Sequence, residues 1–200
     1  MTATKRIFDL AVALALSVVL IPVMVALVFV VLIFDGRPAF YLSERMKTPT
    51  QGFSLIKFRT MKPSAENAGV SGGDKAARIT RSGHFLRRSR LDELPQLFNV
   101  LKGDISFVGP RPPLRQYVER FPSLYGNVLR SRPGITGLAS TRFHGHEERL
   151  LARSQDAAET DLIYMRNCIP RKAALDLIYQ KNWTICFDIV IMIQTVFKKR

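Results

Sequence analysis

The first 35 residues carry one long apolar segment. No charged residue occurs from Leu10 to Phe34, and Asp9 and Asp35 bound the run. At about 1.5 Å of rise per residue, a straight helix over this stretch would be roughly 38 Å long, enough to cross a hydrocarbon core of about 30 Å. The segment therefore predicts a membrane helix. A cleaved signal peptide does not fit, because the apolar run is too long and no small-residue cleavage site follows it.

Two membrane topologies are compatible with this segment. Pro22 lies near its middle, where proline removes one helical hydrogen bond and favours a kink. A helix bent at Pro22 could enter and leave through one leaflet and keep both basic flanks on the cytoplasmic side, where positive charge tends to stay. A kinked spanning helix is also tolerated in a bilayer. The residues alone leave both open. The flanking cations are Lys5, Arg6, Arg37, Arg45 and Lys47.

Beyond residue 35 the polar and apolar positions predict a mainly α structure with a few short strands. Extended segments over 39–42 and 53–58 flank a polar turn. A helix is predicted over 93–102, with Pro95 tolerated in its first turn and Gly103 ending it. Further predictions are a surface loop over 63–77, a helix near 85–88, an amphipathic helix over 114–131, a tight turn over 132–137, charged helices over 147–182 broken at Pro170, and a buried or interfacial apolar helix over 183–197.

The composition adds a strong basic surplus. Thirty Lys and Arg against 16 Asp and Glu give a formal charge of +14, which indicates an anionic partner such as nucleic acid, lipid headgroups or phosphorylated substrates. With 47% hydrophobic residues the chain can bury a core, so disorder is not expected. Cys168 and Cys186 are too few for a disulfide framework or a zinc site.

The pair Asp92–Glu93 is the candidate for chemistry. Acids at the start of a helix can simply cap it, and for an isolated pair that explanation would suffice. Here the pair stands among arginines, with Arg87 just before it and Arg111 in a rigid Pro-Arg-Pro turn. Nearby cations and helix N–H groups are expected to lower the pKa of such carboxyl groups. An ionised Asp can act as a nucleophile, and guanidinium groups bind phosphate oxygens in pairs.

A divalent cation fits the same pattern, since a carboxylate-held metal would neutralise charge on a pyrophosphate. These groups are compatible with phosphoryl transfer, but by themselves they do not identify that reaction. The histidines are weaker candidates: His144 and His146 lack the i, i+4 spacing of helical metal sites and are interpreted as a solvated surface cluster. His84 is interpreted as structural.

Several motifs follow one another in a fixed order: Lys5-Arg6-x-x-Asp9, Lys57-Phe58-Arg59-Thr60-Met61, Leu91-Asp92-Glu93-Leu94-Pro95-Gln96-Leu97, Val108-Gly109-Pro110-Arg111-Pro112, Arg132-Pro133-Gly134-Ile135-Thr136-Gly137, and Asp176-x-x-Tyr179 with Asp188. Together they resemble the bacterial sugar transferases, the small monotopic phosphoglycosyl transferases that initiate polysaccharide and glycan assembly. The resemblance runs essentially end to end, and the shared order makes it specific.

The resemblance implies an architecture and a location. Residues 1–35 would form an N-terminal re-entrant membrane helix, helix-break-helix, with the break at Pro22. Residues 36–200 would form a compact catalytic domain with interfacial amphipathic helices at the cytoplasmic face of the bacterial inner membrane. The family break is commonly Ser-Pro, whereas this chain has Ile21-Pro22, so the kink would rest on proline alone.

The resemblance also implies a reaction. Asp92 would attack the β-phosphate of a UDP-sugar, releasing UMP, and undecaprenyl phosphate would then take the phosphosugar from the aspartyl enzyme. Asp92 would also bind Mg²⁺, Glu93 would assist with the metal or a proton, and Arg87 and Arg111 would position phosphates. The donor sugar is not implied, because residues 138–145 depart from the family pattern where the sugar or nucleotide would be recognised.

Two other hypotheses stay open. The chain could be a non-catalytic basic module that binds anionic lipid or nucleic acid, although no RNP, zinc-finger or basic-zipper pattern supports a nucleic-acid partner. The transfer could also be a single direct displacement without an aspartyl intermediate. Downstream glycosyltransferases would be further partners of the enzyme, and the oligomeric state is left open.

Overall fold

Where the structure describes the chain, the fold is mainly helical, with two separate two-stranded sheets. A computed structural model describes residues 2–62 and 77–197, so the predicted loop over 63–77 lies almost wholly outside the described residues. The elements, in chain order, are α1 (Ala3–Asp35), β1 (Phe40–Met46), β2 (Gly52–Phe58), α2 (Arg81–Ser89), α3 (Gln96–Lys102), β3 (Ser106–Val108), α4 (Arg115–Arg120), α5 (Pro122–Val128), β4 (Gly134–Thr136), α6 (Leu138–Leu151), α7 (Ala157–Ile163), α8 (Ile169–Lys181) and α9 (Ile185–Phe197).

Helix α1 is the apolar segment predicted from the sequence. Within the described ranges it is the one helix long and apolar enough to cross a membrane. Its helical backbone continues through Pro22, so the predicted interruption at that residue is not observed. Proline removes one backbone hydrogen bond from a helix, and here the helical turns before and after Pro22 continue as one helix. One narrow stripe of α1 is buried, while Val18, Val19 and Phe29 on other faces are exposed.

Both ends of α1 are fixed to the rest of the chain. Near the start, Lys5 is buried and its Nζ donates to Asp188 Oδ2 of α9 at 2.5 Å and to the Tyr179 hydroxyl of α8 at 3.2 Å. At the other end, the Asp35 carboxylate accepts hydrogen bonds from the Thr80 hydroxyl at 2.8 Å and from the Ser82 hydroxyl of α2. The stripe between these anchors packs on the main hydrophobic core.

The predicted hairpin is confirmed. Strands β1 and β2 pair antiparallel, with Ser43 opposite Leu55, and the polar turn between them is closed by the Gln51 amide donating to Thr48 Oγ1 at 3.0 Å. The predicted tight turn over 132–137 is wrong. That segment contains β4, which pairs parallel with β3. A strand of three residues shows too little alternation to be recognised in a sequence.

The C-terminal half is helical as predicted, with different boundaries. The single amphipathic helix expected over 114–131 is two helices, α4 and α5, because Pro122 cannot continue α4 and instead opens α5. Pro170 likewise lies in the first turn of α8. The predicted apolar helix over 183–197 is confirmed as α9, which buries Asp188 and Ile191 and leaves other apolar side chains exposed.

We predict that Lys5→Met destabilises the protein by about 3–5 kcal/mol, since it leaves Asp188 as a buried charge without its cationic partner. The measurement is the unfolding free energy of the full chain in detergent micelles. Lys181→Met is the matched control, because Lys181 is exposed at the end of α8. Equal unfolding free energies for the two variants would contradict the prediction.

Candidate active site

A sharp reversal of the backbone presents the acid pair. Helix α2 ends at Ser89, and Arg90 takes a left-handed conformation with φ 58° and ψ 17°. A 3₁₀ turn over Leu91–Glu93 follows, and α3 begins only at Gln96, so the helix predicted over 93–102 starts three residues later than expected. Non-glycine residues rarely adopt the left-handed region, and such strain is concentrated at functional sites. The acids therefore lie on a tight corner between two helices.

Glu93 is held by two cations from distant parts of the chain. Its Oε1 accepts a hydrogen bond from Lys57 Nζ of β2 at 2.7 Å and from an Arg111 Nη at 3.0 Å. Burial alone would raise the pKa of Glu93, but the charges and hydrogen bonds of Arg111 and Lys57 outweigh it and hold the pKa far below its ordinary value of 4.5. Glu93 is thus a fixed anion, as predicted for the pair.

Asp92 differs from its neighbour. It is half-buried, and its carboxylate makes no hydrogen bond or ion pair with any residue in the described part of the chain. Its pKa is raised above 3.8, first by burial and then by the charge of Glu93, while Lys57, Arg87 and Arg111 act in the opposite direction. The predicted lowering of the pKa is therefore wrong for Asp92. Burial and a neighbouring anion outweigh the arginines.

The other predicted residues converge on the same corner. Arg87 is half-buried in the last turn of α2, and both it and Arg111 act electrostatically on Asp92. The Arg111 side chain keeps 40% of its surface exposed, so it can pair with Glu93 and still reach a ligand. Lys57 had appeared in the sequence only as part of a motif. Its role was not predicted, because nothing local links a strand residue to an acid 36 positions later.

The Pro-Arg-Pro turn is positioned by backbone contacts with β4. The amide of Gly109 donates to the Thr136 carbonyl at 2.9 Å, and the amide of Gly134 donates to the Pro110 carbonyl at 2.8 Å. A Cβ on Gly134 would stand 2.2 Å from the Gly109 nitrogen, so only glycine allows this approach. The two motifs around residues 109 and 134 are therefore one structural unit that aims Arg111.

Behind Arg111 lies a small buried polar cluster. Lys172 donates to Glu147 Oε1 at 2.8 Å and to the Tyr164 hydroxyl at 3.3 Å. Asp176 lines the same cavity as Arg111, and its Oδ1 has no hydrogen-bond partner within the described ranges. Burial raises the pKa of Asp176 to about 7, and Lys172 only partly offsets this.

The histidines fit their prediction only in part. His146 is exposed and lies 3.1 Å from Arg171. His144 is half-buried, with its Nε2 3.1 Å from Glu148 Oε1. Burial lowers the pKa of His144, Glu148 and Glu147 oppose this, and Arg90 and Arg111 add to the lowering. Because the ring is half-buried, it is not part of the predicted solvated cluster. His84 is exposed.

The donors present suit a magnesium ion shared with a ligand. No group of three or more His, Cys, Asp or Glu side chains that could hold a metal occurs in residues 2–62 and 77–197. Asp92 nevertheless offers a carboxylate that no cation or hydrogen-bond donor among the described residues occupies. Mg²⁺ is commonly bound through one or two carboxylates with phosphates and water completing its octahedron. Asp92 fits that arrangement.

We predict that Asp176 makes the protein lose stability as the pH rises from about 4 to about 7. Native Asp176 keeps its proton up to about pH 7, whereas the unfolded group releases it near 3.8. Between these values the native state binds more protons, so the unfolding free energy falls by up to about 1.4 kcal/mol per pH unit. Unfolding curves of wild type and Asp176→Asn across this range measure the effect. Parallel pH profiles for the two proteins would contradict it.

Comparison with known proteins identifies the family of the chain that forms this site. The model of the bacterial sugar transferase family matches residues 1–199. The chain is 33% identical to a UDP-galactose-lipid carrier transferase of Erwinia amylovora, over 96% of this chain and 39% of that protein. It is 33% identical to a UDP-glucose:undecaprenyl-phosphate glucose-1-phosphate transferase of Escherichia coli, over 97% of this chain and 39% of that one.

A shorter relative is covered almost completely. An uncharacterised sugar transferase of Bacillus subtilis is 34% identical over 97% of this chain and 86% of its own length. The chain thus spans about two fifths of the length of the two larger relatives and most of the smaller one. Matches of this extent, together with the family model, show that the chain belongs to the bacterial sugar transferases.

Proposed function

We propose that the protein transfers a sugar-1-phosphate from a UDP-sugar to undecaprenyl phosphate at a membrane. The observation that carries the proposal is the contrast within the acid pair: Glu93 is neutralised by Lys57 and Arg111, while the Asp92 carboxylate is left without a partner among the described residues. The names of relatives add the chemical class, since they include sugar-phosphate transferases that use undecaprenyl phosphate. Products of this kind begin exopolysaccharide and related glycan assembly.

In the first step we assign the nucleophile to Asp92. A carboxylate oxygen of Asp92 forms a bond to the β-phosphorus of the UDP-sugar, the bond from that phosphorus to the bridging oxygen breaks, and UMP leaves with the electron pair. The raised pKa of Asp92 favours attack, because a more basic carboxylate is a stronger nucleophile once ionised. Magnesium, when bound, would neutralise charge on the pyrophosphate.

In the second step a phosphate oxygen of the lipid attacks the same phosphorus and displaces Asp92. The product is a polyprenyl diphosphate sugar, and the carboxylate is restored. Arg87 and Arg111 would bind phosphate oxygens in both steps, since guanidinium groups pair with phosphate in a bidentate manner. Glu93 would act by orienting Arg111 and Lys57, to which it is already hydrogen-bonded.

We further propose that α1 enters and leaves the membrane on one side, the cytoplasmic face of the inner membrane. Lys5 and Asp35, near the two ends of α1, both contact the same helical body. A spanning helix would place its ends about 30 Å or more apart on opposite faces of the bilayer. A single body in one aqueous compartment could not hold both ends. The helical backbone is uninterrupted at Pro22. The bend that this topology requires would fall at that residue, because sharp kinks in helices occur mostly at proline.

We predict that Asp92→Asn abolishes UMP release from a UDP-sugar. Loss of the nucleophile in this type of mechanism lowers turnover by about 10⁴-fold or more. The measurement is UMP production from a panel of UDP-sugars with Mg²⁺, first without and then with undecaprenyl phosphate. Glu119→Gln is the matched control, because it removes an exposed carboxylate from α4.

The same assay separates the remaining hypotheses. A fully active Asp92→Asn protein would overturn the proposal. A protein without turnover, whose lipid binding weakens with salt and ignores Asp92, would be a binding module. Phosphosugar that stays on the wild-type protein after denaturation would identify the two-step route, whereas UMP released only with lipid present and no trapped adduct would indicate direct displacement.

We predict that the two ends of α1 are labelled from the same side of the membrane. Ala3→Cys and Gln51→Cys, each in a Cys186→Ser background, place a thiol at exposed positions near the start of α1 and in the β1–β2 turn. A membrane-impermeant maleimide should reach both in inside-out vesicles and neither in intact spheroplasts. Labelling of the two positions from opposite sides would establish a spanning helix.

A further inference from the structure

A second cavity lies at the start of α1. Its volume is about 300 Å³, which reaches the lower bound of pockets that hold small ligands. It lies where α1, the segment before β4 and the end of α8 meet, and none of Asp92, Glu93, Lys57, Arg87 or Arg111 lines it. The side chains that define it are Lys5, Arg130, Arg132, Tyr179, Gln180 and Trp183.

Most polar groups of this cavity already have partners. Lys5 donates to Asp188 and Tyr179, and the Trp183 indole donates to Asp188 Oδ2 at 3.0 Å. The Gln180 amide donates to Ser131 Oγ at 3.0 Å. These groups shape the wall, and their hydrogen-bonding capacity is largely used inside the protein.

The two arginines are different. In the described part of the chain, neither the Arg130 nor the Arg132 guanidinium has a hydrogen-bond or ion-pair partner. Arg130 is exposed and Arg132 is half-buried. Each guanidinium carries five N–H donors and no acceptor, so both have donors to offer a ligand.

Like charge is concentrated around Arg132. The Arg132 and Arg6 guanidinium groups both lie against Gly103. A Cβ added to that glycine would stand 3.4 Å from a nitrogen of Arg132 and 3.3 Å from a nitrogen of Arg6. Arg6 is held there by the carbonyls of Val100 and Leu101 at 2.6 and 2.8 Å. Burial lowers the pKa of Arg132 and Arg6 adds to this, while Asp9 and Asp104 partly compensate. An anion in the cavity beside Arg132 would offset part of this repulsion.

Two exposed apolar residues lie close in sequence to residues that line the cavity. Ile7, two residues after Lys5 on α1, exposes 67% of its surface, and Ile178, next to Tyr179 on α8, exposes 51%. Trp183 at the cavity wall is of the residue type enriched at the membrane–water boundary. A phosphate group at that boundary suits Arg130 and Arg132, because guanidinium groups bind phosphate oxygens through charge-assisted hydrogen bonds.

We propose that the cavity formed by Arg130, Arg132 and the start of α1 binds a phosphate group, carried either by an anionic phospholipid headgroup or by free phosphate in solution. The site would hold this anion whether or not the transfer reaction takes place. It would fix the start of α1 and the segment before β4 to the membrane surface.

The test compares two double variants of equal charge. Arg130→Gln/Arg132→Gln removes the proposed contacts, and Arg120→Gln/Arg153→Gln removes two exposed arginines that do not line the cavity. The full chain is placed in phosphatidylcholine nanodiscs with a minor fraction of phosphatidylglycerol and no polyprenyl phosphate. Lipid retained after extraction into detergent is measured by native mass spectrometry. A second arm titrates inorganic phosphate in detergent by calorimetry.

A phospholipid source predicts that wild type and the control pair retain phosphatidylglycerol over phosphatidylcholine, and that the cavity pair loses about tenfold or more of this preference. A free-phosphate source predicts no lipid preference and a similar loss of phosphate affinity in the cavity pair alone. If neither quantity differs between the two pairs, the proposal is wrong. Should the cavity pair fail to fold, Arg130→Gln alone, at an exposed position, replaces it. UMP release is not measured, so failure here leaves the proposed reaction untouched.

Discussion

The ion pairs of Glu93 are the interaction on which the geometry of the active site depends. One carboxylate oxygen joins Lys57 of a hairpin and Arg111 of the turn after β3 to the corner between α2 and α3. Charge-assisted hydrogen bonds of this kind are strong where water is scarce, and the loss of Glu93 would leave Lys57 and Arg111 as two neighbouring cations without a counter-ion. Three segments that are remote in sequence are thereby fixed at one point.

This arrangement gives the two neighbouring carboxylates different electrostatic environments. Glu93 is surrounded by cations and kept ionised, and its charge in turn raises the pKa of Asp92. Side chains one position apart on a 3₁₀ turn point in different directions, so one can face the protein cations while the other faces the ligand. The adjacent pair is therefore one fixed structural anion and one carboxylate left for chemistry.

Sequence patterns predicted much of the secondary structure and named acids and arginines that the fold brings to one corner. Local signals were sufficient for the long apolar helix, the hairpin and the acid pair among arginines, because each depends on residues close in the chain. Local signals did not predict the features that depend on residues far apart in the sequence. The ladder of β3 and β4 is three residues long on each side, and the roles of Lys57 and His144 follow only from what the fold places beside them. Likewise, burial outweighed the charges that had been expected to lower the pKa of Asp92.

The anchor at the start of α1 bears on how the protein is made. Asp188 follows Lys5 by 183 residues, and translation at about 5–20 residues per second separates the two by roughly 10–40 s. During that interval Lys5 lacks the carboxylate with which it is buried in the folded protein. Until α9 emerges, the Lys5 ammonium must remain solvated, because an unpaired charge is costly to bury. The contact at the start of α1 therefore forms only after α9 has been synthesised, and a chain that stalls before α9 would keep the anchor at Asp35 and lack the one at Lys5.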